Sequence, residues 1–323
     1  MTVPYAKGLH EVADGVHAYL QPDGGWGWSN AGLVGADGAS MLVDTLFDLR
    51  LTGEMLEAME AVTSTRPITT LVNTHANGDH CFGNELVAGP GVEIVASAAA
   101  AVEMDETPPE SLAALVASVD QMPDPMAGFI RQSLGPFEFE AITLTPPTRT
   151  FTGIDRFEVG GRAVELIEVG PAHTAGDVLA WLPAERVVFT GDILFIEGTP
   201  ILWAGPVANW IEACDRIIAL DAAVIVPGHG PLADADGVRA VSDYLRFVDE
   251  GTRLRHEAGM TSAETVLDLH AELDATPFGS WGDPERLVIN VETIWAGLEP
   301  GYARPSIMKL FSRMARLAGS LKP

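Results

Sequence analysis

Four short segments, each carrying histidine or aspartate and each falling directly after a predicted strand, constrain this chain more than any other feature. They are Thr74-His75-Ala76-Asn77-Gly78-Asp79-His80, Gly170-Pro171-Ala172-His173-Thr174-Ala175-Gly176-Asp177, Thr190-Gly191-Asp192 and Pro227-Gly228-His229-Gly230. Loops at strand ends aim side chains while the sheet holds them rigid. Singly, each segment is explained by a hydrogen-bonded structural histidine or by an aspartate that caps a turn. Together they are not, because half of the 8 histidines fall at corresponding points of two similar halves. Imidazole mixed with carboxylate is also the donor set that holds zinc or iron.

The two halves are visible in the apolar pattern. Val16–Leu20, Ala31–Val34 and Met41–Asp44 read as hairpin strands between Gly/Asp/Asn turns. Leu51, Met55, Met59 and Val62 predict a helix over 46–63, and Ile68–Val72 a buried strand. The second half repeats this with strands at Ala163–Val169, Val178–Leu182 and Arg186–Phe189, a helix over 207–220 and a strand at Ala223–Val226. Such a pattern predicts a sandwich of two sheets with helices outside. About 97–135 reads as a helical insertion, whose apolar positions Leu112, Leu115, Val116, Val119, Met122, Met126, Phe129 and Ile130 serve packing first and a lid over an apolar substrate second. Helices are expected near 236–258, 262–273, 284–298 and 306–321. In the last, Ile307, Leu310, Phe311, Met314, Leu317, Ala318 and Leu321 share a face that closes the domain or docks a partner or acidic ligand. The expected organisation is a catalytic domain over 1–232 and a helical extension over 233–323 packed on it.

Composition narrows the partners. With 323 residues and 47% hydrophobic content the chain can bury a core without disulfides. Its 45 acidic against 19 basic residues, a net charge of −26, repel polyanions, so nucleic acid is not an expected partner. The same field collects divalent cations. Arg304, Lys309, Arg313, Arg316 and Lys322 make the C-terminal end the exception. Two cysteines, Cys81 and Cys214, make no disulfide framework, Met1–Lys7 lacks a secretory pattern, and no apolar window suits a membrane span. A cytoplasmic location with no membrane partner is expected. Cys81, beside a candidate ligand, reads as a buried small residue, since nothing electropositive activates it. No Walker loop, Rossmann fingerprint or G-x-S-x-G elbow supports nucleotide-driven or serine chemistry.

The order of the four segments resembles the metallo-β-lactamase superfamily, whose signature is H-x-H-x-D-H followed by a separate His, an Asp and a final His. The resemblance spans about residues 10 to 232. It implies a four-layer αββα sandwich of the α+β class with a one- or two-metal site on its edge. Glu11-Val12-Ala13-Asp14-Gly15-Val16, Gln21-Pro22-Asp23-Gly24-Gly25-Trp26, Val43-Asp44-Thr45 and Gly170-Pro171-Ala172-His173-Thr174 resemble a branch with aromatic polyketide cyclases and thioesterases. Carried over, His75 and His173 belong to one metal site, Asp79, His80 and His229 to a second, and Asp192 bridges them. Asp44 resembles a buried residue that orients the ligand loop. One position departs: Asn77 stands where the signature has its second His.

Asn offers a neutral amide oxygen, a poorer zinc donor than imidazole, so the resemblance implies one firmly held Zn²⁺ and a second site that is weak or takes Fe or Mn. Bound zinc brings the pKa of its water towards about 7, giving hydroxide at neutral pH, and Asp79 can orient that water and relay its proton. The bridging Asp192 resembles glyoxalase-type, lactonase and thioesterase members more than true β-lactamases. Trp26 and Trp28, on a Gly-rich hairpin tip, are expected to form an apolar wall for substrate. The expected activity is metal-dependent hydrolysis of an ester, lactone or thioester in an apolar small molecule. The alternatives are a polyketide cyclase using the same metals, an iron-dependent oxidoreductase and a degenerate binding protein. Homo-oligomers are allowed.

Overall fold

The computed structural model describes residues 3–273 and 275–320. Met1, Thr2, Leu321 and Lys322, used in the sequence reading, lie outside the described residues. Two sheets form the centre. The first holds seven strands in chain order, β1 (Gly8–Ala13), β2 (Val16–Leu20), β3 (Ala31–Ala36), β4 (Ala39–Val43), β5 (Ile68–Val72), β6 (Glu93–Ser97) and β7 (Arg149–Phe151). Its first four strands are an antiparallel meander, and β4 to β7 run parallel. The second sheet holds β8 (Ile154–Val159), β9 (Arg162–Glu168), β10 (Val178–Leu182), β11 (Val187–Phe189) and β12 (Val224–Val226), with only β11 and β12 parallel.

Side-chain alternation along the strands builds both sides of each sheet. Val34, Met41, Val43, Val72 and Val95 of the first sheet meet Val164, Leu166, Val178, Ala180, Val187 and Phe189 of the second in one buried cluster. Their neighbours Leu33, Leu42, Leu71, Ile167, Leu179 and Val188 point the other way, into a second cluster shared with the helices. The sheets come so close at Gly32 that a Cβ there would run into the Phe189 ring.

The outer layers come from α1 (Leu49–Thr63), which lies against β1 and β3, and α6 (Val207–Ala219), which packs on α7 (Ala235–Glu257). The first helix begins at Leu49 rather than 46 because Asp48, in extended conformation, accepts the Leu51 N–H and caps it. The insertion holds α3 (Ala98–Glu103), α4 (Pro109–Ala117) and α5 (Met126–Ser133), and separates the paired strands β6 and β7. The chain ends in α8 (Ser262–Leu273), α9 (Leu287–Leu298) and α10 (Ile307–Ser320). Pro284–Arg286, expected at the start of a helix, forms a separate 3₁₀ turn after Asp283, whose φ is 55°. Helix α10 is fastened by Glu292 of α9, a fully buried carboxylate that accepts from Ser262, Tyr302 and Arg313. No helix among the described residues is long and apolar enough to cross a membrane.

Candidate active site

His75, Asp192 and His229 each stand three residues beyond a strand end, those of β5 at Val72, β11 at Phe189 and β12 at Val226. Asp79 and His80 follow on the one-turn helix α2 (Gly78–Cys81), and His173 sits in the loop between β9 and β10. All six residues are buried and converge. The Asp192 carboxylate is central: its Oδ2 lies 3.4 Å from Nε2 of both His173 and His229 and 3.7 Å from Nε2 of His75, and its Oδ1 lies 3.0 Å from His80 Nε2. Asp79 Oδ2 is 3.2 Å from His229 Nε2. Gly228 permits this approach, since a Cβ there would run into the Asp192 carboxylate.

Every imidazole is anchored through its other nitrogen, which turns Nε2 toward the centre. Nδ1 of His80 is 2.9 Å from Asp44 Oδ2, that of His173 is 2.6 Å from the Ile201 carbonyl, that of His229 is 3.1 Å from the Gly24 carbonyl, and that of His75 is 3.1 Å from Thr74 Oγ1. Asp44, in a left-handed conformation at φ 61°, also accepts the Thr74 N–H at 2.7 Å and hydroxyl at 2.8 Å, which ties the strand end to the ligand loop. Asn30 braces the opposite loop, donating to the Pro227 and Gly230 carbonyls on either side of His229. Asp177 is turned away from the centre. It accepts from Thr174 N, Thr174 Oγ1 and Ala172 N, and so shapes the loop that presents His173.

The charges are strongly perturbed. Burial opposes ionisation of Asp192, but His229, His80 and His75 outweigh it and hold its carboxyl well below the usual range. Asp79 is lowered in the same way, burial being overcome by His80 and His229. Burial drives His75 well below its ordinary value and His173 down to about 4, so both are neutral at pH 7. His80, against the pull of burial, is raised well above the ordinary value by Asp192, Asp44 and Asp79, and His229 is raised to about 9 by Asp192 and Asp79.

These residues fit a divalent cation. His75 Nε2, His80 Nε2 and Asp192 Oδ1 are buried and make no well-aligned hydrogen bond among the described residues, although the last two lie 3.0 Å apart, which is costly unless a cation or ligand meets them. Two groups are close enough to share an ion, His75 with His80 and Asp192, and Asp79 with His80 and His229. Asn77 reaches the centre too, its Nδ2 lying 2.9 Å from His173 Nε2. Cys81 donates to the Ala76 carbonyl, and burial pushes its thiol up, away from nucleophilic use.

Asn77, Asp79, His173, Asp192 and His229 face a cavity of about 600 Å³. Its walls are assembled from distant segments: Trp26 of the hairpin tip, Leu112 and Leu115 of α4, and Ile307, Met308 and Phe311 of α10. Trp26 is the joint between them, with ring centroids 6.0 Å from Phe129 of α5 and 6.5 Å from Phe311, and its Nε1 donates to Glu285 at 2.7 Å. Trp28 is not in the wall. It packs on Phe137 at 5.0 Å, because the intervening Gly27 turns the tip at φ 73° and sends the two indoles in different directions. The expectation that both tryptophans line the site is corrected to Trp26 alone.

The family model described as "Metallo-beta-lactamase superfamily" matches residues 24–229, well over half of the chain. The chain belongs to the metallo-beta-lactamase superfamily. Hydroxyacylglutathione hydrolases of Brucella ovis and Brucella abortus are 31% identical to it over 156 residues, 46% of this chain and 59% of theirs. The chain thus spans about three fifths of the length of these curated relatives. A metallo-beta-lactamase from Pontibacter korlensis covers 74% of the chain, with 98% of its own length, at a TM-score of 0.56 and 22% identity. A stereoselective inverting sec-alkylsulfatase from Pseudomonas sp. covers 98% of the chain, with 52% of its own length, at a TM-score of 0.66 and 17% identity. Both share the fold, the second through the C-terminal helices as well. The superfamily's hydrolases use metal, and the His/Asp clusters of this member are positioned to bind one.

Several cavity residues carry no sequence signal of that role. Arg286 is 2% exposed and lies 4.7 Å from the Trp26 ring and 5.2 Å from that of Phe195. Its Nη2 donates to Asp283 and its Nη1 to the Thr199 carbonyl. Ile307 and Phe311 were legible as one face of a helix, but an apolar face looks the same whether it meets a core or a cavity.

Proposed function

We propose that this chain is a zinc-dependent hydrolase of an ester, lactone or thioester whose acyl or ring portion is apolar. The observation that carries the reading is the combination in one cavity: a floor of imidazoles and carboxylates aimed at a single centre, beneath walls of Trp26, Leu112, Leu115, Met308 and Phe311. Asp79, His80, His229 and Asp192 are the residues assigned to hold the firmly bound zinc, with Asp44 orienting His80 and His75 lying beside His80 and Asp192. When bound there, zinc would supply Lewis acidity that brings the pKa of a water close to neutral and favours charge on the scissile carbonyl oxygen. Asp79, ionised and open to the cavity, is the residue assigned to take the proton from the attacking water. The aromatic walls hold the apolar portion and exclude bulk water.

The relatives' name points to glutathione thioesters, and the lining of this cavity speaks against transferring that substrate. A glutathione thioester carries two carboxylates and one ammonium, whereas the cavity offers one guanidinium, Arg286, beside the carboxylates of Asp79, Glu103, Glu106 and Asp192. A neutral or weakly charged acyl compound suits it better.

The test is a panel of thioesters, aryl esters and lactones assayed with zinc-loaded protein, in which kcat/KM should rise with the apolar bulk of the acyl group. Preference for the glutathione conjugate over an acyl thioester of equal length would refute the apolar assignment. No turnover of any member, with zinc bound, would refute the hydrolase reading.

A further inference from the structure

We propose that this is a one-metal centre in which Asn77 takes His173 out of the ligand set, so that the Asn77–His173 pair faces the substrate instead of a second ion. The inference rests on the reading of the cluster as a catalytic metal site, and it concerns how that site is divided.

The hydrogen bonds around His173 decide its tautomer. Its Nδ1 lies 2.6 Å from the Ile201 carbonyl, an acceptor only, so Nδ1 carries the proton and donates. In the neutral ring Nε2 is therefore a lone pair. That lone pair is the atom a metal would use, and the Asn77 amide Nδ2 lies 2.9 Å from it as a donor. The ring is held in this pose from behind, with centroids 5.6 Å from Phe195 and 5.7 Å from Trp210. An Asn at this position is thus more than a weak ligand: it occupies the coordinating atom of its neighbour.

The remaining distances agree. His173 belongs to neither of the two groups close enough to share an ion, whereas His80 belongs to both. The orphaned buried atoms are His75 Nε2, His80 Nε2 and Asp192 Oδ1, and His173 Nε2 is not among them. The polar atoms that await a cation therefore lie on the His80–Asp192 side. The Asn77 amide has a second N–H and a carbonyl oxygen without a partner among the described residues, and both Asn77 and His173 line the cavity. That second N–H is a neutral donor for a substrate oxygen on the side where a two-metal enzyme would present its other cation.

Chelator-stripped full-length protein titrated with Zn²⁺ alone, followed by calorimetry and elemental analysis, should bind one ion per chain. Asn77→His, which replaces the donor with a ligand, should bind two. His173→Ala should keep one ion, while His229→Ala loses it. Two ions on the wild type, or loss of the ion in His173→Ala, would overturn the one-metal assignment while leaving the hydrolase reading intact. No zinc uptake by the wild type would overturn the hydrolase reading itself. If His173→Ala does not fold, as judged by circular dichroism, the wild-type and Asn77→His stoichiometries decide.

Discussion

Asp192 and His229 reach the floor of the cavity from loops three residues past a strand end, whereas Trp26, Leu112, Arg286 and Phe311 reach its walls from four stretches of chain outside the strands. The floor side chains have both ends specified. One ring nitrogen is anchored by a carbonyl, a hydroxyl or Asp44, and the other is aimed at the centre. In the walls only Trp26 and Arg286 of these four have polar anchors, on Glu285 and on Asp283 and Thr199, while Leu112 and Phe311 are apolar and the segments meet through ring packing, such as Trp26 on Phe129 and Phe311. The contrast teaches that the chemistry of the site is encoded locally, while its selectivity depends on where an insertion and a C-terminal helix come to rest.

The largest effect expected is on the floor. Asp192→Ala removes the carboxylate shared by all four histidines and should lower kcat/KM by about 10³-fold or more, since a bound metal contributes several kcal/mol to the transition state. Zinc content measured alongside should fall in step, and an active Asp192→Ala protein would break the assignment of the floor. Next comes pH. In the metal-free protein His173 titrates near 4 against an ordinary 6.5. Its folded form binds the proton more weakly than the unfolded chain, so the stability it contributes is present above pH 6.5 and lost as pH falls through that value towards 4, by roughly 3 kcal/mol in all. His229, raised to about 9, acts oppositely: its contribution is present below pH 6.5 and lost as pH rises towards 9. Urea melts of chelated protein across this range should show both arms, and zinc should diminish them.

Asp44→Asn keeps the shape but loses the charge that orients His80, and should weaken zinc binding by about 10–100-fold in a chelator competition. Smallest is the wall. Trp26→Ala should raise KM for bulky acyl substrates about 10-fold, through lost apolar contact, and leave acetyl esters unaffected. Trp28→Ala should leave KM unchanged for both. Equal effects of the two tryptophan changes would erase the distinction between a residue in the cavity wall and one behind it.

The meander, the repeated strand–helix–strand pattern and the helical insertion were legible because apolar alternation and helical spacing are local signals. Strands β6 and β7 were not. Arg149–Phe151 is three residues long and becomes a strand only by pairing with Glu93–Ser97 across the whole insertion. The half-exposed β1, Gly8–Ala13, and the edge strand β8, Ile154–Val159, carry too little apolar contrast to stand out. In the site, Asp177 sits in the same motif as His173, and no spacing rule could tell that one faces the centre while the other folds the loop beneath it.

The sequence by itself determined the floor, because ligand-competent side chains after strand ends must converge once those strands share a sandwich. It also marked Asn77 as the departure from the signature. Only the tertiary structure decided where that departure sits, by setting the Asn77 amide 2.9 Å from His173 Nε2, and which tryptophan lines the cavity. It alone brought Phe311 and Arg286 to a cavity whose floor lies far from them in the chain. Hydrogen-bond direction and close packing depend on atoms that are distant in sequence, and those contacts exist only once the chain has folded.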